Sequence, residues 1–94
     1  MLEIKVEDQA VVLAGRFDAA EAERARKVFL GLTENTVVDF ARLDYISSAG
    51  LGVLLAAQKN LSDRGKGLRL INVSAHIRDV LHFSGFDQIF EIQG

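Results

Sequence analysis

Asp44-Tyr45-Ile46-Ser47-Ser48-Ala49-Gly50-Leu51-Gly52 links a short β-rich stretch, Thr36-Val37-Val38-Asp39-Phe40, to an apolar run that extends to Leu61. Serine hydroxyls suit the start of a helix because they accept hydrogen bonds from backbone amides that have no partner inside the helix. A helix therefore begins near Ser48. Its residues Leu51, Val53, Leu54, Leu55, Ala56, Ala57 and Leu61 cover more than one stripe of the helical wheel, so its early part meets apolar surroundings over a wide arc. Ser62-Asp63-Arg64-Gly65 ends it.

The two glycines of this stretch are not cheap. Each interior glycine costs a helix about 0.8 to 1 kcal/mol against alanine. The pair at Gly50 and Gly52 therefore implies that something approaches the backbone closely, either a neighbouring strand or a partner. The same junction leaves free amides and the positive end of the helix dipole near Ser47 and Ser48, where an anionic group is favoured. A phosphate there would add roughly −1.5 to −2 charges. Beside Asp44, on a docking face, it would repel an acidic partner without unfolding the domain. Plain helix capping by the serines and plain packing by the glycines would account for the same letters.

Upstream, Leu2-Glu3-Ile4-Lys5-Val6 alternates apolar and polar with period two, and Ala10 to Ala14 is a second short β-prone run after Glu7-Asp8-Gln9, which predicts a hairpin. Asp18 stands three residues before Glu21, the spacing of a capping box, and starts a first helix with Ala22, Ala25, Phe29 and Leu32 on its inner face. Downstream, Leu68 to Val73 reads as a strand and Ser74 as an N-cap. Ile77, Val80, Leu81 and Ser84 form the inward face of a third helix closed by Gly85, and Ile89 to Ile92 is a last short strand. The order is ββαβαβαβ over residues 1–94. Strands separated by single helices need crossover connections, so the expected fold is one α/β domain, with a mixed, mostly parallel sheet and helices mainly on one face.

Composition narrows the function. Of the 94 residues 49% are hydrophobic and 26% charged, a globular balance. There is no cysteine, which excludes disulfides and thiolate metal sites and makes a reducing cytoplasm the expected compartment. No window approaches the ~20 apolar residues of a membrane span, and Met1 to Asp8 has no signal-peptide core. Thirteen acidic residues against eleven Lys plus Arg argue against the basic surplus that nucleic-acid binding uses.

Several groups are set aside as chemistry. His76 and His82 lie about 240° apart on a helix and do not share a metal-binding face. Asp79, His82 and Ser84 have the letters of a hydrolase triad but not the nucleophile elbow. Gly65-Lys66-Gly67 lacks P-loop spacing, and a nucleotide-binding module remains only as an alternative. Asp39 and Asp44 could orient a hydroxyl or hold a magnesium ion through water, but a strand-end carboxylate more often caps. No catalytic residue, metal or cofactor is expected.

The stretch from Asp44 to Gly52 resembles the signature of the STAS family, shared by sulfate transporters and bacterial anti-sigma-factor antagonists (anti-anti-sigma factors). Val12-Leu13-Ala14-Gly15-Arg16-Phe17-Asp18, Val37-Val38-Asp39-Phe40, Leu70-Ile71-Asn72-Val73-Ser74 and Phe83-Ser84-Gly85-Phe86 match in the same order, so the resemblance runs essentially end to end. It implies a partner-switching regulator of transcription. Such a protein binds an anti-sigma factor that is also its serine kinase and so releases a sigma factor; phosphorylation of a signature serine breaks the complex and a phosphatase restores it. The partner-binding residues carried over are Asp18, Asp44, Ser47, Ser48, Ala49, Gly50, Leu51 and Gly52. Against the common Asp-Ser-Ser-Gly pattern, anchored on Gly50-Leu51, Ala49 occupies the usual acceptor position. Ser48, Ser47 or a constitutive, unphosphorylated binder are the readings left, with Ser48 preferred. The expected state is a cytoplasmic monomer or weak dimer with no membrane or nucleic-acid contact. A STAS subunit acting on the ATPase of a lipid-exporting ABC transporter is the alternative that the resemblance offers.

Overall fold

Leu2–Glu7 (β1) and Ala10–Phe17 (β2) form the predicted hairpin, with Leu2 opposite Gly15 and Glu7 opposite Ala10. The computed structural model describes all of residues 1–94. Thr36–Ile46 (β3), Leu68–Ile71 (β4) and Glu91–Ile92 (β5) add in parallel, so the five strands lie in the order β1-β2-β3-β4-β5 with only the first pair antiparallel. The crossovers carry Ala22–Phe29 (α1), Ser48–Ser62 (α2) and Ala75–Phe83 (α3), as parallel pairing requires.

Alternation along the strands sets the layers. Val11, Leu13 and Phe17 of β2, Val38 and Phe40 of β3 and Leu68 and Leu70 of β4 are buried against Ala25 and Phe29 of α1, Leu54, Ala57 and Leu61 of α2 and Ile77 and Leu81 of α3, in one core cluster. Removing most of a fully buried side chain such as Phe29 or Leu54 would cost about 3 to 5 kcal/mol. The other face of the sheet carries the exposed Lys5 and Arg69 and the half-buried Val12, Ala14, Val37 and Ile71. The helices thus cover one face, as expected.

The first helix begins differently from the expectation. Asp18 has the extended backbone of an N-cap, φ −94 and ψ 178, but its side chain makes no cap hydrogen bond, and a 3-10 turn, Ala19–Glu21, intervenes before α1. Glu21 does not reach back either. Its carboxylate accepts from Arg24 at 2.8 Å, and that bond holds it below the usual carboxylate range. The tighter 3-10 turn moves the amides away from the capping-box geometry. Leu32 falls beyond the end of α1 yet still packs on the core.

Several boundaries also move. β3 continues to Ile46 because two register irregularities against β2, between Val12 and Ala14 and between Gly15 and Arg16, let it run past the short apolar stretch. Its pairing with β4 stops at Asp39 opposite Ile71. There Asn72, in a left-handed conformation at φ 56, donates from Nδ2 to Asp39 Oδ1 at 3.0 Å, and the same oxygen accepts from the Ala41 N–H at 2.9 Å. Asp39 therefore ties β3 to the end of β4. The last strand covers Glu91 and Ile92 only, because Phe86–Gln88 forms a 3-10 turn just before it. Ser84 is an exposed C-cap residue rather than part of the inner face of α3.

Candidate functional site at the strand-to-helix junction

Two parallel strands end side by side at this junction. The Ser47 N–H donates to the Phe17 carbonyl at 2.8 Å, which fixes the end of β3 to the end of β2 and brings Asp18 beside the start of α2. Ser47 then caps α2. Its Oγ accepts from the Gly50 N–H at 3.1 Å, and its backbone is extended at φ −86 and ψ 169. Ser48, the first residue of the helix, is exposed, and its hydroxyl has no partner in the protein. The two adjacent serines therefore differ physically: one is bound into the fold and one is free.

The glycines divide in the same way. A Cβ on Gly50 would lie 2.9 Å from Ile46 Cγ1 and 3.0 Å from Phe17 Cδ1, so the neighbour that needs this glycine is the chain's own core. Gly52 is exposed, and a Cβ there would meet nothing within 4 Å. Nothing inside the protein requires it. Leu51 is buried and faces inward with Gly50. Of the residues carried over from the resemblance, those that reach the surface are Asp44, Ser48 and Gly52, which are exposed, and Asp18, Ser47 and Ala49, which are half-buried.

Asp18 carries the one buried side-chain polar atom without a hydrogen-bond partner, its Oδ1. A buried acceptor left unpaired is disfavoured, and this one sits at the junction. Two residues escaped the sequence reading. Arg16 and Tyr45 are register partners on β2 and β3, and the Arg16 guanidinium lies 4.3 Å from the centre of the Tyr45 ring. Each immediately precedes a core residue at a strand end, Phe17 or Ile46, so alternation alone could have placed both on the open face of the sheet.

The largest cleft, about 540 Å³, is elsewhere. Gln9, Asn35, Thr36, Gln58, Arg69 and Glu91 line it, at the starts of β3, β4 and β5. Two of its amides are engaged in the fold: Asn35 Oδ1 accepts from the Gly67 N–H at 2.9 Å and Gln58 Oε1 from the Leu68 N–H at 2.7 Å. Ligands of parallel sheets collect at the carboxyl ends of strands, which is the opposite edge. No trio of His, Asp or Glu side chains is disposed to hold a metal ion. His82 is turned toward Asp87 at 2.7 Å. No helix is long and apolar enough to cross a membrane.

With this geometry in place, a family model described as "Mlab, STAS domain" matches residues 1–92. The chain belongs to the STAS family. It is 42% identical over 84 residues to BtrV of Bordetella bronchiseptica, named as an anti-sigma factor antagonist, and the match covers 89% of this chain and 72% of that one. A Thermotoga maritima protein described as an anti-sigma factor antagonist superposes with a TM-score of 0.83 at 20% identity, over 99% of this chain and 86% of the other. The phosphorylated form of the Bacillus cell fate determinant SpoIIAA superposes with a TM-score of 0.71 at 23% identity, over 98% of this chain and 90% of the other. At these identities the two structures establish the fold.

Proposed function

We propose that this protein is an anti-sigma-factor antagonist, which docks through the β3–α2 junction onto an anti-sigma factor and so frees a sigma factor. The observation that carries this reading is Gly52: an exposed glycine inside a helix, with open space where its side chain would be, has a cost to the fold and no return within it. Close approach of a partner's backbone to α2 supplies the return. The likeness to BtrV, itself named an antagonist, supports the same reading.

The switch is assigned to Ser48. Its hydroxyl is free and exposed, whereas Ser47 spends its oxygen on the helix cap. A phosphate on Ser48 would sit at the first turn of α2, where amides and the helix dipole tolerate negative charge. The fold would survive and the docking face, which already carries Asp18 and Asp44, would become more negative. The anti-sigma factor acts as the serine kinase in this scheme, and a phosphatase reverses the step.

A second reading has its own support. The matching family model is described by the name Mlab, and Ala49 stands where the common signature has its acceptor serine. A STAS subunit that binds the ATPase of a lipid transporter constitutively would use the same Gly52 face with no phosphate.

One experiment separates the two. Wild type and Ser48→Asp are used to capture partners from native extract, with mass spectrometry of the partners and of the protein's own phosphorylation. Capture of an anti-sigma kinase by wild type but not by Ser48→Asp is the expected result. Transporter subunits in place of a kinase would sink the antagonist reading.

A further inference from the structure

We propose that β1 is a self-association edge, through which two copies of this chain pair antiparallel into one continuous sheet. The outer strands of the sheet are β1 and β5, and they are unequal: β5 has two residues, β1 has six. Pairing of β1 with β2 runs from Leu2 to Glu7 without a register shift, and the sequence contains no proline. Of the usual protections of an exposed edge, β1 lacks bulges, prolines and short length, and carries only charge, in Glu3, Lys5 and Glu7.

The backbone groups on this edge can be assigned. Met1 accepts from the Arg16 N–H through its carbonyl, so Met1 faces β2. By the alternation of an antiparallel ladder, Glu3, Lys5 and Glu7 also face β2, while the N–H and C=O groups of Leu2, Ile4 and Val6 point outward. A second observation agrees: the Arg24 guanidinium reaches the Leu2 carbonyl from outside the sheet. A carbonyl has two lone pairs, so that oxygen can accept from a neighbouring strand and keep Arg24.

Charge selects both the occupant and the register. With Ile4 opposite the second copy's Ile4, Leu2 lies opposite Val6, and all outward groups meet partners. On the other face of the sheet Glu3 then faces Lys5, and Lys5 faces Glu3, so each Lys5, already 3.0 Å from Glu7 of its own chain, gains a second acidic neighbour and each Glu3 gains a basic one. A slip by two residues would set Lys5 against Lys5 and Glu3 against Glu7, all repulsive. The side chain of Val6, 55% exposed in the single chain, gains a cover from the opposite strand. The axis relating the copies turns their strands end for end, so the two β3–α2 junctions point away from each other. The dimer is bivalent, and neither docking face is blocked.

Sedimentation equilibrium over a range of protein concentrations tests this, with circular dichroism as the check on folding. Wild type should show a reversible monomer–dimer equilibrium. Lys5→Glu should weaken the dimer by about tenfold or more, and the charge swap Glu3→Lys with Lys5→Glu should restore it. Val6→Pro removes an outward N–H and no bond to β2, so it should weaken the dimer while leaving the monomer folded. A wild type that stays monomeric up to about 1 mM, the concentration scale of the weakest specific complexes, overturns the proposal and leaves the edge to a strand of another protein. A dimer indifferent to Lys5→Glu and Val6→Pro overturns it as well, since the contact would then lie elsewhere. Failure of the charge swap to restore association overturns the register.

Discussion

Gly50 lies so close to Phe17 that a single added methyl group would sit 3.0 Å from two atoms of its ring. Two residues further along the same helix, Gly52 has empty space around it. Alanine scanning should therefore split the pair. Gly50→Ala forces Phe17 and Ile46 to move and should destabilise by about 1 to 3 kcal/mol. Gly52→Ala relieves a helix-interior glycine and should stabilise by up to about 1 kcal/mol while it weakens partner capture. Urea unfolding gives the first quantity and co-purification the second. A Gly52→Ala protein that captures its partner as well as wild type would remove the main support for docking along α2.

The two serines should also separate. Ser47→Ala loses the cap on the Gly50 amide and should cost about 1 kcal/mol. Ser48→Ala touches no internal bond and should change stability by no more than about 0.5 kcal/mol, yet abolish phosphorylation. If the phosphate persists in Ser48→Ala, as read by intact-mass spectrometry of protein from the native cell, the acceptor lies elsewhere.

Asp18 gives a third contrast. Were it the cap that its spacing to Glu21 suggests, Asp18→Ala would cost about 1 kcal/mol. With no cap bond and an unpaired buried oxygen, Asp18→Ala should leave stability unchanged or raise it by about 1 kcal/mol. Capture of the partner, in contrast, should fall, because the carboxylate stands beside the start of α2. A full cap-sized loss of stability in urea titration would show that the side chain does bond to the helix in solution.

Residue order encodes local burial and local caps directly, and strand register only indirectly. Period-two alternation identified β1 and β2, and the apolar run after Ser48 located α2, because burial of one face writes itself directly into residue order. The cap at Ser47 was legible for the same local reason. Asp18 misled because a capping box depends on the helix starting where the letters say, and a 3-10 turn displaced it. The length of β3 was hidden because its irregularities against β2 break the alternation at Ala41 and Asp44. Gly50 and Gly52 look alike in sequence, and only the position of Phe17, brought in from a strand more than thirty residues upstream, distinguishes them. The stacking of Arg16 on Tyr45 depends on register in the same way.

The contact between His82 and Asp87 makes stability depend on pH near neutrality. His82 is at the end of α3 and Asp87 in the turn that follows, with Nδ1 and Oδ2 2.7 Å apart. The hydrogen bond to Asp87 and its negative charge, with a smaller contribution from Asp79, raise the His82 pKa above 6.5. A pKa higher in the folded than in the unfolded state means that folding favours the protonated ring. The contribution is therefore complete below about pH 6.5 and is lost as pH rises through the raised folded value. Wild type should lose some resistance to urea across that interval, and Asp87→Asn should flatten this part of the profile. Because His82 is exposed and Asp87 only half-buried, the effect should also shrink as salt is added. An NMR titration of the His82 ring in both proteins reads the cause directly, and an unchanged midpoint in Asp87→Asn would show that Asp87 does not hold the proton on His82.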